Sequence, residues 1–205
     1  MGEEGELRVV LREYVYVQEE GEEDGELRLI IPEVLDSEYG MYVWPCALVL
    51  AQYIWFHRSV ITGKRVLEVG SGVSLPGVLA AKCAANVILS DSAAMPQCLQ
   101  NCSRSCRQNN LSGIPVIGLT WDFEDILVTV QFIMERNPKA EFWTTYQVRS
   151  EDWSIEALLH KWNFKCTNVP LKIFDADKEC LAGSNLPGRH SIQMMIITLN
   201  LDNLD

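Results

Sequence analysis

The 205-residue chain is short of positive charge: 17 Lys and Arg stand against 28 Asp and Glu, a net charge of −11. Sequence-independent binding to nucleic acid depends on Lys and Arg neutralising phosphates, so no direct nucleic-acid partner is expected and a basic protein partner matches better. The acidic cluster Glu19, Glu20, Glu22, Glu23, Asp24 and Glu26 reads as a solvated loop of like charges. Long apolar runs are also lacking. The longest, Met41 to Phe56, is broken by Pro45 and Gln52 and falls short of the ~20 residues of a membrane span, so no membrane is expected. The start, Met1-Gly2-Glu3-Glu4, has no signal-like stretch, and seven cysteines are an odd number, which points to thiols in a reducing compartment. His57, His160 and His190 have no Cys or His at ligand spacing and no Gly-x-Ser-x-Gly elbow beside them, so none takes a metal or hydrolytic role.

What is present fits one globular domain with roughly 70% of its unfolded surface buried. Runs Leu7 to Val17 and Leu27 to Ile31 flank the acidic stretch and predict an N-terminal β-hairpin over residues 1–40, ahead of one compact unit over 41–205. Helical spacing from Met41, with Pro45 in a first turn, predicts a helix ending near His57. Strands at Val66 to Val69, Asn86 to Ser90 and Pro115 to Leu119 then alternate with helices from Pro76 to Cys83 and from Ala94 to Asn109. This alternation predicts an α/β fold with parallel strands and right-handed crossovers. A helix from Phe123 to Arg136, a strand at Glu141 to Tyr146, a helix from Ser154 to Trp162 and strands at Cys166 to Leu171 and Ile192 to Leu199 complete the chain.

The most informative stretch is Val66-Leu67-Glu68-Val69-Gly70-Ser71-Gly72, with Asp91 closing the next apolar run. A buried strand followed by two glycines lets the backbone turn tightly and approach a ligand, and an acid at the next strand end suits ribose hydroxyls. The third glycine of a dinucleotide fingerprint is absent, because Val73, Ser74 and Leu75 follow. Trp121 lies just beyond the third strand, at the edge where open α/β sheets bind ligands. Cys98, Cys102 and Cys106 share one helix face and read as small buried residues against the sheet. Tyr146 and Arg149 read as a strand-end aromatic and a solvated Arg.

Glu68, Gly70, Gly72, Asp91 and the final strand pair resemble the seven-β-strand methyltransferases that use S-adenosylmethionine. Met41-Tyr42-Val43-Trp44-Pro45, the run Val73 to Gly77 and Leu119-Thr120-Trp121 bring the resemblance closer to the lysine methyltransferase-like branch. The resemblance implies a Rossmann-like sheet and S-adenosyl-L-methionine as cofactor. It implies that Glu68 faces the methionyl end, Gly70 and Gly72 pass close to the ligand, Asp91 holds the ribose, Trp121 packs on adenine and Trp44 lines the methionyl side. It further implies N-methyl transfer to arginine or lysine of a basic protein such as a histone, in the cytoplasm and nucleus.

After Trp121 the chain departs from that family. The fourth parallel strand, central in the family's sheet, and the acceptor-site motif at its end are missing, on the order of 25 residues. Only six strands follow the opening helix. The chain therefore reads as a shortened form, such as a splice variant, with weakened or absent catalysis and no nameable catalytic residue. A catalytically silent binding module and an unstable product are the rival readings. Moving Glu141 to Tyr146 beside Val66 to Val69 would rebuild the sheet.

Overall fold

The computed structural model describes residues 9–17, 25–34, 41–120, 123–147, 159–185 and 191–200. Its first unit is an antiparallel hairpin of β1 (Val9–Val17) and β2 (Glu26–Val34), in register from Val9 opposite Val34 to Val17 opposite Glu26. Side chains alternate across a strand, so Tyr14, Tyr16, Leu29 and Ile31 fall on the inner face, each buried. They join the main core together with Leu48, Ala51 and Ile54 of the first helix.

That helix, α1 (Pro45–Phe56), begins later than its apolar spacing suggests. Residues 41–44 form a strap that bends at Met41 and Tyr42 and is extended at Trp44, and Pro45 occupies the first turn, where a missing N–H costs nothing. A short α2 (Arg58–Ile61) follows. Then come β3 (Arg65–Val69), α3 (Leu75–Lys82), β4 (Asn86–Ser92), α4 (Pro96–Gln108) and β5 (Val116–Leu119). The three strands form a parallel sheet in the order β3-β4-β5. Val66, Val87 and Leu89 lie on its helix-covered face. The other face carries Leu67, Ile88 and Ile117, exposed at 38%, 40% and 39%. Parallel sheets are normally covered on both sides, so this stripe is unusual.

The second half begins with α5 (Phe123–Arg136), followed by β6 (Phe142–Gln147), β7 (Phe164–Val169), a 3-10 turn at Leu171–Phe174 and β8 (Ile192–Leu199). These strands form a separate antiparallel sheet in the order β6-β8-β7. Leu127 and Met134 of α5 pack with Leu159, Phe164 and Ile197 in a satellite core, while Val128 and Phe132 on its outer side are about half exposed. The 164–169 strand lies two residues earlier than its sequence suggests, and the 3-10 turn takes up Leu171.

The strand at Glu141 to Tyr146 does not move beside Val66 to Val69. β6 pairs with β8 from Phe142 opposite Ile197 to Gln147 opposite Ile192, and among the described residues β3 pairs with β4 alone. The physical reason is local: β6 and β8 offer each other a six-residue antiparallel register, and Thr145 Oγ1 donates to the Cys46 carbonyl at 3.1 Å, seating β6 on α1. The predicted helix from Ser154 lies outside the described residues until Leu159.

Candidate functional site at the glycine turn

The site grows from the C-terminal end of β3. Gly70 and Gly72 adopt φ of 69° and 52°, the left-handed region that favours glycine, and the turn folds back over the sheet. Ser71 anchors it twice to the Ser90 carbonyl, through its backbone N–H at 3.0 Å and its hydroxyl at 2.7 Å. Asp91, 8% exposed, closes the arrangement from β4. Its Oδ2 accepts the Gly72 N–H at 2.6 Å and its Oδ1 accepts the Ser92 N–H at 2.7 Å. An ionised carboxylate has about four acceptor positions, so this one retains capacity for two further donors.

Glu68 shares the helix-covered face with Leu89, its register partner on β4. Its carboxylate accepts the Ser74 hydroxyl at 2.7 Å and the backbone N–H of Gly77, which places it beneath the start of α3. A Cβ at position 77 would collide with Glu68 Oε2 and the Leu89 side chain, so glycine there permits the approach. Burial pushes the Glu68 carboxyl up to about 7, the nearby Asp91 charge adds to that, and the two hydrogen bonds oppose it.

Helix α4 grips the turn from the other side. The Cys102 thiol donates to the Gly72 carbonyl at 2.9 Å, and the Ser105 hydroxyl donates to the Val73 carbonyl at 2.7 Å. Burial pushes the Cys102 thiol up to about 12, so it stays protonated and able to donate. Sequence reasoning treated these cysteines only as filler. The signal for more was Asn101, Ser105 and Asn109 at intervals of four on the same face, polar residues that require partners once buried.

Trp44 is the N-cap residue of α1, with its indole stacked on the Tyr42 ring at 5.4 Å. The strap that carries both meets α4, where the Asn101 amide lies 3.2 Å from Met41 Sδ. Glu33, only 5% exposed, pins the strap by accepting the Val43 N–H at 3.1 Å and the Tyr14 hydroxyl at 3.1 Å, with Arg12 Nε at 3.4 Å. Nothing in the local sequence marks this carboxylate, because its partners lie on other segments. Structure therefore gathers Glu68, Gly70, Gly72 and Asp91 around one turn and places the Trp44 strap against the helix that holds it. Trp121 and Arg149 lie outside the described residues. Among the described residues no group of three or more His, Cys, Asp or Glu could hold a metal ion, and no helix is long and apolar enough to cross a membrane.

Residues 23–135 match the family described as lysine methyltransferase. A histone-arginine methyltransferase METTL23 of Xenopus laevis is 63% identical, over 98% of this chain and 97% of that protein. The chain belongs to the lysine methyltransferase family. By family it is an S-adenosylmethionine-dependent protein methyltransferase with a Rossmann-like fold. The proteins of the same name from Mus musculus and Homo sapiens are each 54% identical, over 86% and 80% of this chain and 80% and 100% of their own lengths. A solved human methyltransferase 10 domain containing protein superposes with a TM-score of 0.44 at 15% identity, covering 75% of this chain and 82% of that one. The Xenopus comparison spans 226 positions yet takes in 98% of these 205 residues, so about 25 positions of that family member face no residue here.

Proposed function

We propose that this chain binds S-adenosylmethionine at the Gly70–Gly72 turn and belongs to N-methyl transfer onto arginine of a basic, histone-type protein, with transfer weakened because β3 has a partner on one side alone among the described residues. The observation that carries the reading is the Asp91 carboxylate, which closes on the Gly72 N–H while keeping acceptor capacity for a ribose diol. Two left-handed glycines leave the backbone open to close approach, and Glu68 lies below the turn as the acid toward a cationic methionyl group. The relatives named for histone-arginine methylation and the net charge of −11 support a basic partner over nucleic acid. Localisation in the cytoplasm and nucleus is part of the same proposal.

S-adenosylmethionine, when bound, supplies an already activated methyl group. What remains for the chain is placement. Asp91 fixes the ribose, the glycine turn fixes the methionyl backbone, and Trp44 lines that side while the acceptor nitrogen is held in line. The family's acceptor residues belong to the segment this chain lacks.

A second reading, a silent module that binds cofactor without turnover, is favoured by β3 pairing with β4 alone among the described residues. Calorimetric titration with S-adenosylmethionine separates the two from an unstable product. Binding with methyl transfer supports the first, binding without transfer supports the second, and no binding together with no cooperative unfolding rejects both. Asp91→Ala is expected to weaken binding at least ~100-fold, since it removes the ribose acceptor and frees the turn at once. Unchanged affinity would refute the ribose assignment.

A further inference from the structure

We propose that Cys102 of α4 is a positioning residue for the cofactor: its thiol fixes the Gly72–Val73 peptide and, through Gly72, the aim of the Asp91 carboxylate. The inference rests on the S-adenosylmethionine reading and deepens it by naming a buried group that acts through the turn. Gly70 and Gly72 give the turn its left-handed backbone, at φ of 69° and 52°, but glycine is also the residue with the most freedom to leave that conformation. Restraint must come from outside the turn.

Gly72 is held on both sides. Its N–H donates to Asp91 Oδ2 at 2.6 Å, and its carbonyl accepts the Cys102 thiol at 2.9 Å. Holding both peptide planes that flank a residue fixes its two soft backbone angles. A carbonyl can only accept, so the thiol must carry its proton, and burial at 0% exposure keeps the proton there. The Ser71 hydroxyl, 3.6 Å from the same sulfur, donates instead to the Ser90 carbonyl at 2.7 Å. Without the thiol, Gly72 is free to turn, its N–H leaves Asp91, and the carboxylate loses the bond that aims its remaining acceptor positions at the ribose. With the thiol, the site is ordered before the ligand arrives, and less ordering is left to be done on binding. Ser105 holds the next carbonyl, of Val73, at 2.7 Å, whereas the buried Cys106 holds no atom of the turn among the described residues.

The test is calorimetric titration of the full chain and its variants with S-adenosylmethionine, alongside amide hydrogen exchange at Gly72. Cys102→Ala is expected to weaken binding about fivefold and to speed Gly72 exchange by about the same factor, as befits one lost neutral hydrogen bond. Cys102→Ser, whose hydroxyl can donate to the same carbonyl, should return both to within about twofold of the unchanged chain, although a buried serine packs no better than alanine. Cys106→Ala should lower stability and leave both readouts alone, which separates positioning from packing. Affinity and exchange unmoved by Cys102→Ala, no recovery in Cys102→Ser, or an equal loss of affinity in Cys106→Ala overturns the proposal. Failure of the unchanged chain to take up S-adenosylmethionine retires the cofactor reading, whereas Gly72 exchange indifferent to Cys102 retires this proposal and leaves that reading intact.

Discussion

β8 and β3 each belong in the interior of a sheet, yet β8 pairs on both sides, with β6 and β7, while β3 pairs only with β4 among the described residues. Everything β8 needs arrives within one continuous stretch of chain, and antiparallel neighbours require no crossover. β3 depends on a strand that a parallel crossover must deliver from elsewhere, and about 25 positions of the Xenopus relative find no counterpart here. Among the described residues the two halves are therefore unequally paired. The antiparallel half closes on itself, and the parallel half keeps its glycine turn but leaves Leu67, Ile88 and Ile117 uncovered.

The widest test of this difference is to restore the unmatched positions of the Xenopus relative where the two sequences part. Stability in urea unfolding should rise by about 5 kcal/mol, since several buried N–H and C=O groups gain partners at once. Methyl transfer to a histone should rise at least ~100-fold, as expected when a misplaced acceptor is brought into line. Equal stability and equal turnover would mean that the two halves are equally complete.

Next in size is Glu33→Ala, which leaves the buried Tyr14 hydroxyl and the Val43 N–H without their acceptor. A loss of about 3 to 4 kcal/mol in thermal or urea unfolding is expected, with weaker cofactor binding because the Trp44 strap loosens. Loss of stability without any change in cofactor affinity would confine Glu33 to the hairpin.

Glu68 gives a smaller effect with a definite pH dependence. Its carboxyl sits at about 7 in the fold against an ordinary 4.5, so folding favours the protonated form. That contribution is complete below about pH 4.5 and is lost as pH rises through 7. Glu68→Gln keeps an acceptor for Ser74 and Gly77 but cannot ionise. It should be more stable than the parent by about 2 kcal/mol at pH 8 and nearly equal at pH 4. A parallel decline of both proteins with pH would remove Glu68 as the cause.

Leu67→Lys should be the mildest change, within about 0.5 kcal/mol of the parent in stability. Its expected signature is reduced light scattering at high concentration, because a charge on an open strand discourages edge pairing. Unaltered scattering would show that the uncovered stripe is not what associates.

The element order and the glycine turn could be read from the chain because both are local: period-two and period-3.6 patterns, two glycines after Val69, and an acid at the next strand end. Residues 41–44 were harder. Their apolar character fits a helix, but the chain bends at Met41 and Tyr42 and the helix opens only at Pro45, with Met41 and Val43 buried and Tyr42 and Trp44 partly buried. The partner of β6 is left open by the sequence because register is decided by competition between strands, and β8 lies some 45 residues beyond β6 in sequence. Glu33, Cys102 and Ser105 were invisible as site supports, since each acts on a segment distant in sequence.

Asn109 gives the hairpin a role beyond shielding. The residue is 4% exposed, and its side-chain amide accepts the Ile30 N–H at 2.9 Å and donates to the Ile30 carbonyl at 2.7 Å, behaving as one rung of a neighbouring strand. The end of α4 is thereby stitched to β2, whose Glu33 three residues on holds the strap. Cutting the molecule back to Met41 would unplug a buried amide and release the aromatic strap together, so the hairpin sets the minimal length at which this site can assemble.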